Sequence, residues 1–169
     1  MMANAGSVPP TLMALTPSGT MMYVPQNLSD GEAKDQFANT ARLIAVGYNA
    51  SAVAMILESW ARFAKSSREP LENADVPPSQ SPDREEVVAV MAEARDRCIQ
   101  RFLFIQRNSA GQFTGFGTSL VPELDEVKGR FAQLIPPNVP SANDSAMARS
   151  LLEVMGVVLD DHGQNPIWN

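Results

Sequence analysis

The chain has 169 residues, a net charge of −6, 44% hydrophobic and 19% charged residues, with one cysteine, Cys98, and one histidine, His162. That length and balance describe one globular domain able to bury a core without disulfides or metal. They exclude an internal disulfide, a Cys/His zinc cluster and a twin-histidine metal site, and the acidic charge disfavours nucleic acid as a partner.

In chain order, residues 1–10 form a flexible N-terminus without the charged start or apolar run of a signal peptide. Leu12–Leu15 and Met21–Val24 flank Thr16-Pro17-Ser18-Gly19, a type I turn signature, and predict a hairpin that Pro25 ends. Ser29 with Glu32 matches a capping box and opens a helix over 30–46, with Phe37, Ala41, Ile44 and Tyr48 at helical spacing and Gly47 as its stop. Ala50–Phe63 is a central strand, with Val53, Met55 and Leu57 on one face and Ala54, Ile56, Glu58 and Trp60 on the other. Residues 64–84 are a long acidic, Pro-rich loop, the candidate for a mobile flap.

Glu86–Ala94, Cys98–Arg107 and Gln112–Gly117 read as an antiparallel meander with turns at Asp96-Arg97 and Asn108–Gly111. A helix over 83–101 is the alternative, but Val87, Val88 and Val90 favour strand. Pro122 opens a helix carrying Leu124, Val127, Phe131 and Leu134. Ser141–Asp144 caps a last helix with Met147, Leu151, Val154 and Val158 on its apolar face, and residues 160–169 are a polar tail. The fold class expected is α+β: a mainly antiparallel sheet made of hairpin, central strand and meander, backed by about three helices. No segment reaches the apolar length of a membrane span, so a cytoplasmic protein is expected.

The strand ending Glu58-Ser59-Trp60-Ala61, the Pro-rich loop, and the strand starting after Pro82-Asp83-Arg84-Glu85-Glu86 resemble a loosely defined group of small uncharacterised bacterial and phage proteins. The likeness spans about residues 12–118. It implies an α/β organisation and a prokaryotic or phage origin, and no activity.

Three constellations could carry chemistry. Glu58, Glu86 and Glu93 are acids on or near strands and form the candidate catalytic set of a carboxylate-based, metal-assisted hydrolase; the plainer reading is ion pairing with nearby arginines. Pro82-Asp83 with Glu93-Ala94-Arg95 echoes a nuclease motif, but about 33 Å of strand separates the acids, and Arg in the lysine position cannot shed its proton. Arg95, Arg97, Arg101 and Arg107 around Phe102 and Phe104 form a candidate single-stranded nucleic-acid face; the plainer reading turns both rings to the core. Gly111, Gly115 and Gly117 belong to a bulged hairpin rather than a phosphate loop. Cys98 reads as a small buried hydrophobe.

Trp60 is expected at the rim of a concave surface, with Glu58 as its nearest acid. The function expected is that of a non-enzymatic binding or accessory protein with no cofactor and no resident metal. Its partner is another protein or itself. The unguarded Met21-Met22-Tyr23 edge invites pairing, and a C2 homodimer is the expected form.

Overall fold

The computed structural model describes residues 7–63, 75–122 and 130–162. Its elements are β1 (Thr11–Thr16), β2 (Gly19–Tyr23), α1 (Gly31–Gly47), β3 (Ala52–Ala61), β4 (Glu85–Ala94), β5 (Cys98–Arg107), β6 (Phe113–Leu120), α2 (Ala142–Val154) and β7 (Asp160–His162). A single 3₁₀ turn at Pro78–Gln80 precedes β4. The strands form one seven-stranded sheet in the order β6-β5-β4-β3-β1-β2-β7, and all its pairs are antiparallel. The class is α+β, as expected, with the hairpin, the central strand and the meander in place.

Two helices, rather than three, stand among the described residues. The helix expected from Pro122 falls on residues 123–129, outside them, and its described end, 130–135, is turn and coil. There Leu134 and Ile135 enter the core without helical structure.

Local chemistry accounts for the helix boundaries. Asp30, not Ser29, caps α1: its carboxylate accepts the Ala33 N–H at 2.9 Å. The helix runs through Gly47, which takes no part in stopping it. It lets α2 come close: a Cβ there would stand 3.2 Å from Arg149 Cγ, so α2 would have to give by a few tenths of an ångström. The left-handed residue that follows is Asn49, at φ 50°. Ser141 and Asp144 cap α2 reciprocally, as the sequence predicts.

The sheet has two unlike faces. Cross-strand register puts Leu12 and Ala14 beside Val53 and Met55, and Val87 and Ala89 beside Phe104 and Phe102. Against the first group α1 packs Phe37, Ala41, Ile44 and Ala45, joined by Leu134, Ile135 and Leu152. Phe63 covers the second, its ring 5.1 Å from Phe102 and 5.4 Å from Phe104. Neither α1 nor α2 covers the other face.

α2 corrects an expectation. Its large apolar side chains Met147, Leu151 and Val154 point outward, and Val154 is 86% exposed; Ser145, Ala148 and Leu152 face in. Small residues let the two helices approach closely, with the Ser145 hydroxyl donating to the Val46 carbonyl at 2.9 Å.

The tail corrects another. Residues 160–162 pair with Thr20, Met21 and Met22, so the β2 edge that was expected to stand open is occupied, and His162 pairs its backbone with Thr20. The outer strand at the opposite end is β6, whose pairing with β5 is bulged and whose Gly115 sits at φ 152°.

Candidate functional site

The face that the helices leave uncovered is built by period two, and it is closed in part: Val88 on it is 3% exposed. From β1 it receives Thr11, Met13 and Leu15; from β2, Thr20 and Met22. From β3 come Ala52, Ala54, Ile56, Glu58 and Trp60, and from β4 Glu86, Val88, Val90, Ala92 and Ala94. β5 adds Ile99, Arg101, Leu103, Ile105 and Arg107, and β6 adds Phe116 and Phe113. Leu15 is 51% exposed, Ile99 53% and Phe116 48%.

Charge collects at one end of this face. Glu58 and Glu86 stand diagonally on neighbouring strands, within reach of each other. Arg107 grips Glu86 with two parallel bonds, Nη2 to Oε1 at 2.6 Å and Nε to Oε2 at 2.7 Å, and reaches Glu58 Oε1 at 3.4 Å. The Val8 N–H donates to Glu58 Oε2 at 2.9 Å.

This asymmetry pushes the two acids apart. Burial, with the adjoining Glu86, raises the Glu58 pKa above the ordinary carboxylate value against the pull of the Val8 N–H. The Arg107 hydrogen bonds lower that of Glu86. Of the two, Glu58 is the first to take a proton.

The signs of the two shifts give opposite predictions. Glu86, with a lowered pKa, contributes stability that is present above its unfolded value and lost as pH falls through its folded one. Glu58, with a raised pKa, favours the fold below its unfolded value and loses that contribution as pH rises through its folded one. At pH 7 Glu86→Gln is therefore expected to cost about 1–2 kcal/mol, and Glu58→Gln to be neutral or slightly stabilising. Urea unfolding of the two variants checks this; equal losses would contradict it.

Next to the pair, Trp60 is partly exposed, with the Arg84 guanidinium 4.6 Å from its ring centroid. Arg84 also donates to the Ser79 carbonyl at 2.8 Å, which ties residues 79–84 to the end of β3. Asp83 joins Arg62 at 3.0 Å and contacts Ser81. Trp60 thus stands at the edge of the uncovered face, beside the described end of the long loop. The part of that loop expected as a flap that spans residues 64–74 lies outside the described residues.

Glu93 does not join the other two acids. It points to the helix side, where its carboxylate accepts the N–H groups of Leu134 at 3.1 Å and Ile135 at 3.0 Å. It is a structural acceptor for a segment with no ladder of its own. Glu93→Ala is expected to cost about 2 kcal/mol by leaving two part-buried donors unpaired. Faster amide exchange at Leu134 and Ile135 would accompany it; unchanged exchange would contradict the assignment. Among the described residues no group of three or more His, Cys, Asp or Glu side chains is placed to hold a metal ion.

The arginine–phenylalanine platform is also divided. Phe102 and Phe104 face the helix side with Phe63, as their plainer reading has it, while Arg101 and Arg107 stand on the opposite face. Arg95 is held by the Asn49 side chain and the Ala50 carbonyl, both at 3.2 Å. Arg97 lies in the β4–β5 turn, 3.5 Å from Asp96. Cys98 is exposed rather than buried, and partial desolvation with the Glu93 charge raises its thiol pKa, which leaves little reactive thiolate.

Sequence reasoning missed Arg84. Counting back two from Glu86 places it on the same face, which was signal enough to set it beside Trp60.

Comparison with protein-family models, with curated proteins and with solved structures finds no match to this chain. Among the described residues no helix is long and apolar enough to cross a membrane.

Proposed function

We propose that this chain is a small non-enzymatic binding or accessory protein of prokaryotic or phage origin, acting in the cytoplasm, whose working surface is the uncovered face of the sheet and whose partner is a protein. One observation carries the reading: a broad sheet face bearing Met13, Leu15, Ile99, Phe113 and Phe116 exposed to solvent. Exposed apolar side chains of this size on one sheet face, at both its ends and with charged groups between them, favour a protein-binding surface. The carboxylates that a hydrolase would use are engaged by internal partners: Glu58 and Glu86 by Arg107, and Glu93 by backbone N–H groups. The rings that a nucleic-acid platform would use face the helix side.

Affinity capture from a lysate of the source cells tests the reading. The combined Phe113→Asp and Phe116→Asp variant is expected to lose the proteins that the wild-type chain retains. Met147→Asp with Val154→Asp, on the outer face of α2, is expected to keep them. Circular dichroism checks that both variants fold. Loss only with the helix variant would contradict the proposal.

A further inference from the structure

The uncovered face is divided by side-chain size. On β1 and β2 its residues at the end away from the charged cluster are Met13, Leu15, Thr20 and Met22. On β3 and β4, at the same heights, they are Ala52, Ala54, Ala92 and Ala94. A ridge with three large side chains, Met13, Leu15 and Met22, and Thr20 thus runs beside a trough floored by four alanines. The two lie one strand apart, about 4.8 Å. Ridge and trough themselves carry no charged residue; Glu58, Glu86, Arg101 and Arg107 lie at other levels of the face, and the exposed Asp160 flanks the ridge on β7 beside Met22, where the two-fold sets it over Ile99 at the rim of the contact.

A surface with a ridge next to a matching trough is complementary to a copy of itself. A two-fold axis along the strands, between β1 and β3, lays β1 of one copy over β3 of the other and β2 over β4. Such an axis preserves height along the strands. Met13 then meets Ala54 of the second copy, Leu15 meets Ala52, Met22 meets Ala92 and Thr20 meets Ala94, and every pairing occurs twice. Large against small is how two stacked sheets interdigitate at about 10 Å separation. The pairings nearest the axis, Met13 with Ala54 and Leu15 with Ala52, withstand the roughly 30° crossing of aligned sheets.

We infer that the occupant of this part of the face is a second copy of the chain, in a two-fold sheet-on-sheet dimer centred between β1 and β3. The inference rests on the reading of the face as a protein-binding surface and names the partner for one end of it. None of the named pairings involves Trp60, Arg84 or the Glu58–Glu86–Arg107 cluster. Eight side chains per copy make a small contact, at the lower end of specific interfaces, so weak association that appears only at micromolar concentrations or above is expected.

Sedimentation equilibrium of the full chain, from about 1 µM to about 500 µM, tests it with a size-swap cycle. Met13→Ala removes the ridge and Ala54→Met fills the trough. Each alone is expected to weaken dimerisation at least about fivefold, and together they are expected to restore it to within about twofold, because an alanine at 13 then meets a methionine at 54. Should Ala54→Met fail to fold, Leu15→Lys gives a second readout: it sets a charge over Ala52 of the other copy and is expected to leave a monomer throughout. A wild-type monomer across the range overturns the inference, and so does a dimer indifferent to Met13→Ala and Leu15→Lys. A monomer that still retains a different protein through Phe113 and Phe116 removes the dimer but leaves the protein-binding reading standing; a chain that does neither removes both.

Discussion

Arg107→Ala is expected to lower stability at pH 7 by about 2–3 kcal/mol, and by less than half of that at pH 4. Arg107 closes both charge-assisted bonds to Glu86 and reaches Glu58, and all three side chains are largely withdrawn from water. Without the guanidinium two carboxylates face each other, partly desolvated, and at neutral pH both are charged. Removing one member of such a group costs more than the group contributes, because the remaining charges lose their compensation. Acid relieves the repulsion. Glu58, whose pKa lies above the ordinary value, protonates first and can then donate to Glu86. Urea unfolding of wild type and variant at the two pH values measures the difference, and an equal loss at both would show that Arg107 contributes packing rather than charge.

Phe37→Ala is expected to cost about 3–5 kcal/mol, the largest effect of any single truncation proposed. Phe37 is 1% exposed and sits where three segments meet. Its ring centroid lies 5.9 Å from that of Tyr23 on β2 and 6.0 Å from that of Phe131, the second pair edge-on. Truncation opens a cavity under α1 and breaks both ring contacts at once. With typical domains stable by about 5–15 kcal/mol, the variant is expected to fold only marginally. Phe37→Leu, which keeps most of the volume, is expected to cost about 1–1.5 kcal/mol. Thermal unfolding followed by circular dichroism distinguishes these. A loss below about 1 kcal/mol for Phe37→Ala would mean that the site collapses around the vacancy.

Much of the sheet was legible from apolar runs bounded by turns; β3, apolar on both sides over its first half, read as a central strand buried on both faces, whereas the helices cover only one. Val53, Met55 and Leu57 against Ala54, Ile56 and Glu58 could be sorted by parity alone, and the turns at 96–97 and 108–111 delimited β5 closely. The last helix was found by its capping box but faced wrongly. Its buried side is small, Ser145 and Ala148, because α1 comes close at Gly47, while the larger Met147 and Val154 lie outside. A hydrophobic stripe marks the core only where bulk, rather than close approach, fills the interface. β7 escaped notice because Asp160-Asp161-His162 is too polar and short to announce a strand; β2 supplies its pairing.

The candidate site was half legible for a similar reason. Glu58, Glu86 and Arg107 were each singled out, yet Glu93 was grouped with the acids and Phe102 with the arginines. Parity contained the correction. Glu86 and Glu93 lie an odd number of residues apart on one strand and must face opposite ways, as must Phe102 and Arg101. What the sequence could not supply was the partner of Glu93, since Leu134 and Ile135 reach it from a segment without regular structure. The uncovered face was not legible either, because alternation alone does not say which side the helices cover.

That face is the centre of the account, and site-specific photo-crosslinking tests it most directly. A photoreactive side chain placed at Phe116, and in a separate chain at Val154 on the outer face of α2, reports which surface meets protein in the source cells. The account predicts adducts to protein from position 116 and none from position 154. Adducts from position 154 with none from position 116 would contradict it.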